Sequence, residues 1–250
     1  MLEINQQKST LINAHIDKYL MSIRQPKRSY LGASRLGAEC SRALQYEFLE
    51  GCGEINARTL RIFAIGHLFE ALIIDWMKNS GFELATEDER GKQFGFEVAE
   101  GKIKGHIDGI IKDAPKKLGL SYPAIWECKS LNNKSWNDTV KRGVAISKPI
   151  YAAQIALYQA YMESSIPGIS QNPALFTAIN KDTAELYHEL IPFDMERAQR
   201  MSDKAVNILR ACDAGELLPR IAANPQYHIC KLCSWRNKCW EESYDSTMQR

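Results

Sequence analysis

No apolar run in this 250-residue chain approaches the ~20 residues of a membrane span. The start, Met1 to Gln7, is polar and carries an acid, so no secretory signal is expected. Internal repeats and low-complexity tracts are missing, and no linker is long enough to separate domains. A single domain over 1–250 is therefore expected. Charge of one sign is also missing. The net charge of +2 neither demands nor excludes a nucleic-acid partner, so local clustering must decide. What the chain does have is cysteine, seven in all. An odd count in a long chain fits a reducing cytoplasm, with metal ligands plus spare thiols rather than a disulfide scaffold.

The first half reads as helical. Residues 8–24 place Leu11, Ile12, Ile16, Tyr19, Leu20 and Ile23 at helical spacing, and Gln25-Pro26-Lys27-Arg28 ends that helix. A turn at Gly37 leads into a helix through about Leu49, closed by Gly51 and Gly53, with Cys40 near its start. By itself Cys40 reads equally as a small core residue. Residues 57–79 form the longest helical pattern, with Leu60, Phe63, Ala64, Leu68, Ala71, Leu72 and Trp76 on one broad face. Gly66 within it suggests close packing, since glycine costs a helix ~1 kcal/mol against alanine. Glu70 lies on this otherwise apolar stretch and on local grounds could be solvated.

From Phe82 the period shortens to that of strands. Phe82–Leu84, Phe94–Val98 and Ile103–Ile111 read as a meander, 112–120 as a basic connecting loop, and Ala124–Ser130 as a buried central strand. If Ile103–Ile111 pairs with Ala124–Ser130, Asp108 lies beside Glu127. Lys129, two residues on, shares the face of Glu127. Two acids with a neighbouring lysine suit a hard cation and a phosphodiester. The acids would bind Mg²⁺ or Mn²⁺, and the lysine would position water or stabilise developing charge. A structural ion pair is the plainer alternative.

Downstream, Lys134, Lys141, Arg142 and Lys148 accompany Trp136, a basic segment with an aromatic that suits a nucleic-acid backbone and a base face, or an ordinary solvated helix. Gln154 and Tyr158 share a helix face, able to bond a phosphate or base edge, or to form a half-buried pair. A hairpin over 174–191 and a helix from Asp194 to about Ala214 follow. The tail packs Cys230, Cys233 and Cys239 as C-x2-C-x5-C, denser than core packing explains. Its thiolates suit an iron–sulfur cluster or zinc, with a fourth ligand from His228 or elsewhere. Ser243 to Arg250 are expected to fray.

Taken in order, Gly66-x3-Glu70, Gly105-His106-x-Asp108, Glu127-x-Lys129 and Gln154-x3-Tyr158 resemble the motifs of the PD-(D/E)xK nuclease superfamily, RecB-like branch. The upstream cysteine and the tail pattern resemble its iron–sulfur subgroup, which includes the CRISPR-associated exonuclease four family and the AddB nuclease domain. The likeness runs from about Ser34 to Trp240, and phage genomes carry proteins of this type. It implies an α/β, restriction-endonuclease-like core over 57–192, a mixed central sheet flanked by helices. The cysteine-bound region would be 34–56 and 224–242, joining the N-terminal helices to the tail. It further implies that Glu70, Asp108, Glu127 and the Cys128 carbonyl ligate Mg²⁺ or Mn²⁺ and that Lys129 is the catalytic lysine. Gln154 and Tyr158 would hold DNA and orient Lys129, and Cys40, Cys230, Cys233 and Cys239 would bind a [4Fe–4S] cluster. Cys52, Cys128 and Cys212 match no motif. The implied activity is metal-dependent hydrolysis of DNA, as an exonuclease on single strands or duplex ends in recombination, repair, replication or CRISPR adaptation. A DNA-binding accessory protein and a zinc-stapled endonuclease are the alternatives; oligomeric state is unspecified.

Overall fold

The structure, a computed structural model, describes residues 2–23, 28–51, 53 and 55–245. The chain opens with helix α1 (Leu2–Ser22), a two-residue strand β1 (Leu31–Gly32), a helical turn α2 (Ala33–Leu36), and helices α3 (Ser41–Glu50) and α4 (Ala57–Asn79). Strands β2 (Glu83–Ala85), β3 (Gly95–Val98), β4 (Ile103–His106), β5 (Gly109–Asp113) and β6 (Ala124–Leu131) follow, with a 3₁₀ turn at Lys116–Leu118 inside the basic loop. Helices α5 (Asn133–Arg142), α6 (Val144–Ser147) and α7 (Pro149–Met162) lead to β7 (Ala174–Asn180) and β8 (Leu186–Ile191). The chain ends with α8 (Met195–Asp213), α9 (His228–Lys231) and α10 (Arg236–Asp245). Among the described residues no helix is long and apolar enough to cross a membrane.

The main sheet has five strands in the order β2-β5-β6-β7-β8. Only β6 and β7 run parallel, joined by a crossover through α5–α7. Both are buried along almost their whole length, which is why they read as near-continuous apolar runs. Alternation along β6 divides its side chains. Ile125 joins the core shared with α7 and α8, while Trp126 and Cys128 join the core under Ile73 and Met77 of α4. Helix α7 is apolar all round and buried on every side, packed against α2, α8 and β6.

Three expectations are corrected. The run Ile103–Ile111 is not one strand of a meander. It breaks at Ile107–Asp108, so that β4 pairs with β1 and β3 in a separate three-stranded sheet while β5 joins the main one. At the break Asp108 Oδ2 accepts the Cys128 N–H across the sheet at 2.8 Å, in place of the ladder bond that a longer β5 would have made.

The second concerns α4. Its buried residues are Ala57, Ile73 and Met77, whereas Phe63, Leu68, Leu72 and Trp76 of the broad apolar face are exposed, as are Leu11, Ile12, Ile16 and Tyr19 of α1. Periodicity found the apolar stripes but could not say what covers them. Thirdly, Gly66 is not closely packed, because a Cβ there would meet nothing nearer than Ser130 Oγ at 3.9 Å. Of the end signals, the breaker at 25–27 and residues 246–250 lie outside the described residues. Asp194 caps α8 by accepting the Arg197 N–H at 2.8 Å, and α10 continues to Asp245.

Candidate active site

Where β4 gives way to β5, the chain brings Asp108 over the middle of β6. Glu127 is fully buried there, and Lys129, on the same strand face, donates its ammonium to Glu127 Oε1. The same nitrogen also donates to the Cys128 carbonyl at 3.1 Å and stands 3.8 Å from Asp108 Oδ2. Gln154 on α7 donates one N–H to Glu127 Oε1 at 2.6 Å and the other to the Tyr158 hydroxyl at 3.0 Å. Glu127 Oε2 is buried with no hydrogen-bond partner among the described residues. Glu70, half-buried on α4, completes the acidic group, with His67 Nδ1 3.8 Å from its Oε2.

The electrostatics follow from this crowding. Burial, then the charge of Asp108, pushes Glu127 up to about 8 despite the opposing pull of Lys129. Burial and Asp108 likewise raise Glu70. Burial alone would lower Lys129, but Glu127 and Asp108 outweigh it and hold the lysine above its ordinary value, so it remains an ammonium. Three carboxyls thus crowd around one cation, and a buried carboxylate oxygen lacks a donor. An additional cation of high charge would relieve both. Among the described residues no three His, Cys, Asp or Glu side chains close on one point as a single ion's ligands do. In this state Lys129 stands between the carboxylates.

Gln154 and Tyr158 are buried, and Gln154 links Glu127 to the Tyr158 hydroxyl. Trp136, partly buried, packs against the main core with its Nε1 buried. Lys134, Lys141 and Arg142 are exposed on α5, which begins four residues after Lys129, and Arg142 pairs with Asp138 at 3.2 Å. Tyr151 was not foreseen; Lys129 Nζ lies 5.5 Å from its ring centroid. Its position seven residues before Tyr158, two helical turns along the same helix, was the available signal.

Glycine at 105 is a steric requirement of this site. A Cβ there would lie 2.6 Å from Phe96 Cε1 and 2.7 Å from Tyr158 Cε1. Gly105→Ala is expected to cost about 1–3 kcal/mol by overpacking and to displace the brace on Glu127. Gly66→Ala, inside α4 with open space, should instead stabilise by about 1 kcal/mol. Thermal melts of the two variants should move in opposite directions.

A second constellation gathers four cysteines. Cys40 is the N-cap of α3, Cys230 lies on α9 and Cys239 on α10, and these three with Cys233 line one pocket walled by Tyr46, Trp235 and Trp240. Burial and the neighbouring thiols of Cys40 and Cys239 push the Cys230 thiol up. Burial first, then the same thiols, raise Cys233, although a Trp235 backbone hydrogen bond works the other way. Arg42 reaches Cys239 Sγ at 3.9 Å, and Arg220 donates twice to the Cys239 carbonyl, at 3.1 and 2.8 Å, while lying over the Trp240 ring. Gln45 on α3 clasps the segment before the tail, donating to the Glu216 carbonyl at 2.6 Å and accepting the Leu218 N–H at 2.9 Å. The burial of Cys128 keeps its thiol protonated, and Cys212 stands apart from the four. Cys52 lies outside the described residues.

No family model and no curated protein matches the chain. Solved structures do. An alkaline exonuclease (LHK-Exo) from Laribacter hongkongensis superposes with a TM-score of 0.51 at 18% identity, over 75% of this chain and 89% of that one. The same enzyme in complex with dAMP gives 0.51 at 16% identity with the same coverage. With its mixed sheet between α4 on one face and α7 and α8 on the other, the chain has the restriction-endonuclease-like nuclease fold.

Proposed function

We propose that the chain is a metal-dependent deoxyribonuclease, acting as an exonuclease on single-stranded DNA or duplex ends. The observation that carries this reading is Glu127, a fully buried carboxylate with one oxygen held by Lys129 and Gln154 and the other without a donor, beside Asp108 and Glu70. Such an arrangement serves no evident packing purpose, and an unpartnered buried carboxylate oxygen is costly. The donor set fits a hard divalent ion: Glu70, Asp108, Glu127 and the Cys128 carbonyl are all oxygen ligands. Mg²⁺ or Mn²⁺ held by them would polarise the phosphate and acidify a water. Lys129 contributes as an ammonium, a donor aimed at charge developing on the scissile phosphate, because its protonation is held by its acidic neighbours. Gln154 and Tyr158 fix the Glu127 rotamer, and exposed Lys134, Lys141 and Arg142 on α5 supply charge for the phosphate backbone. The exonuclease form and DNA as substrate are supported by the likeness to an alkaline exonuclease, one of whose structures holds dAMP.

The four thiols that line one pocket suit a [4Fe–4S] cluster held by Cys40, Cys230, Cys233 and Cys239. Its role would be to join the N-terminal helices to the tail.

End-labelled single- and double-stranded DNA incubated with the protein and Mg²⁺ or Mn²⁺ tests the activity. Progressive release of short products is expected, and an inert protein with both metals removes the reading. The pH dependence has a definite sign. Glu127 is raised, so below about 8 it tends to hold a proton that the metal must displace. Mn²⁺ affinity measured by calorimetry should therefore rise from pH 6 to pH 8, by up to about tenfold per unit for each proton released. A flat profile would show that Glu127 is not a ligand.

A further inference from the structure

The two apolar stripes left uncovered by this fold match each other. On α1 and just beyond it, Ile12, Ile16, Tyr19 and Ile23 recur at spacings of four, three and four. On α4, Ile62, Ile65, Phe69, Leu72 and Trp76 recur at three, four, three and four. Both are the a/d pattern of helices that pack knobs-into-holes along a shared seam. All but the half-buried Phe69 are exposed, Tyr19 at 67%, and Leu68 beside the second stripe is 66% exposed. At 1.5 Å per residue the stripes run about 16 and about 21 Å, so one can lie along the other.

Among the described residues nothing covers these stripes. Helix α1 rests on α4, with the ion pair of Asp17 and Arg61 in that contact, and leaves the stripe residues exposed. Asp17 follows Ile16 by one residue, about 100° round the helix, so the apolar seam of α1 looks away from its own α4.

We propose that this face is the docking surface for a second copy of the chain, in a two-fold pair in which α1 of each copy lies along the α4 seam of the other. A second copy brings both stripes at once, so each seam finds its counterpart twice, as two-fold symmetry requires. The size is adequate. At roughly 100 Å² for each half-exposed side chain, the four on α1 and the four exposed on α4, with Leu68, offer about 900 Å². A stable interface takes ~800 Å² from each partner. Charge raises no barrier: Lys8 and Lys18 with Glu3 and Asp17 on α1, and Arg58, Arg61 and Lys78 with Glu70 and Asp75 on α4, set five cations against four acids. That balance and the apolar seam argue against DNA as the occupant, which would need an uncompensated basic stripe. The inference does not depend on the chemistry at Glu127.

Sedimentation of the full chain across a dilution series tests it. The expected result is a species of twice 28.4 kDa. Ile16→Glu with Tyr19→Glu, and separately Ile65→Glu with Leu72→Glu, should each weaken association by at least about thirtyfold while leaving the circular dichroism unchanged. Mixing a Tyr19→Cys chain with a Leu72→Cys chain should give a cross-linked heterodimer that joins the two stripes. A wild-type chain of 28.4 kDa at every concentration overturns the proposal, including the case in which a different protein covers this face. So does a dimer that survives in both double variants, or a cross-link confined to single chains.

Discussion

Lys129→Met is expected to lower metal-dependent DNA degradation by about a thousandfold while leaving the fold intact, the loss seen when a preorganised donor to transition-state charge is removed. Lys129 is the ammonium that contacts both Glu127 and the Cys128 carbonyl, with Asp108 3.8 Å away. Methionine keeps the length and the packing against Tyr151 but removes the charge. Glu127 would then hold its proton still more tightly, so the variant loses both the donor and part of the metal affinity. Asp108→Ala should be as severe, for a different reason: the carboxylate is lost, and so is the acceptor of the Cys128 N–H. Single-turnover rates at saturating Mn²⁺ separate these causes. Extra metal should partly rescue Lys129→Met and should leave Asp108→Ala inactive. If both variants keep rates within about tenfold of wild type, less than the loss of one preorganised donor produces, the acidic group is not the centre of a phosphodiesterase.

Much of this site was legible because strand geometry is simple. A two-residue period places Lys129 on the face of Glu127 without further information, and the apolar flanks Ile125 and Trp126 mark β6 as central. The break at Asp108 was not legible. It arises when a side chain takes a backbone N–H across the sheet, a tertiary event with no local signature. Gln154 and Tyr158 were correctly paired as i and i+4. Gln154 turned out to meet Glu127, because α7 is buried continuously from Ala152 to Gln159. The stripes of α1 and α4 show the limit of periodicity most clearly. It reports which side of a helix is apolar, and only the fold reports whether the chain itself supplies a cover. The three tail cysteines were legible from their spacing, yet their meeting with Cys40 depends on α3 docking against the 216–218 segment through Gln45.

That meeting sets the second large effect. Cys40 and Cys230 lie some 190 residues apart, so a group bound by both closes a loop around most of the chain. Closing such a loop is worth about 5 kcal/mol in the chain-entropy estimate. Other ties across the junction among the described residues include the Lys238–Glu50 ion pair, the Arg42 contact to the Leu218 carbonyl, the Gln45 bonds to the Glu216 carbonyl and the Leu218 N–H, and the Tyr46–Trp235 ring pair at 5.5 Å. Replacing Cys40 and Cys233 by serine should therefore lower the thermal midpoint by roughly 10 °C or more in a chain of this length. The same change should release the segment after α8 to proteolysis while the β6–β7 core stays protected. Wild-type protein purified without oxygen should be brown and contain iron and sulfide in equal amounts, near four of each per chain, as expected for the cluster. One zinc per chain with no colour would keep the staple but change its chemistry. A colourless, metal-free protein that melts with the double variant would mean that packing around Tyr46 and Trp235 alone holds the tail, and that the four thiols meet without a ligand.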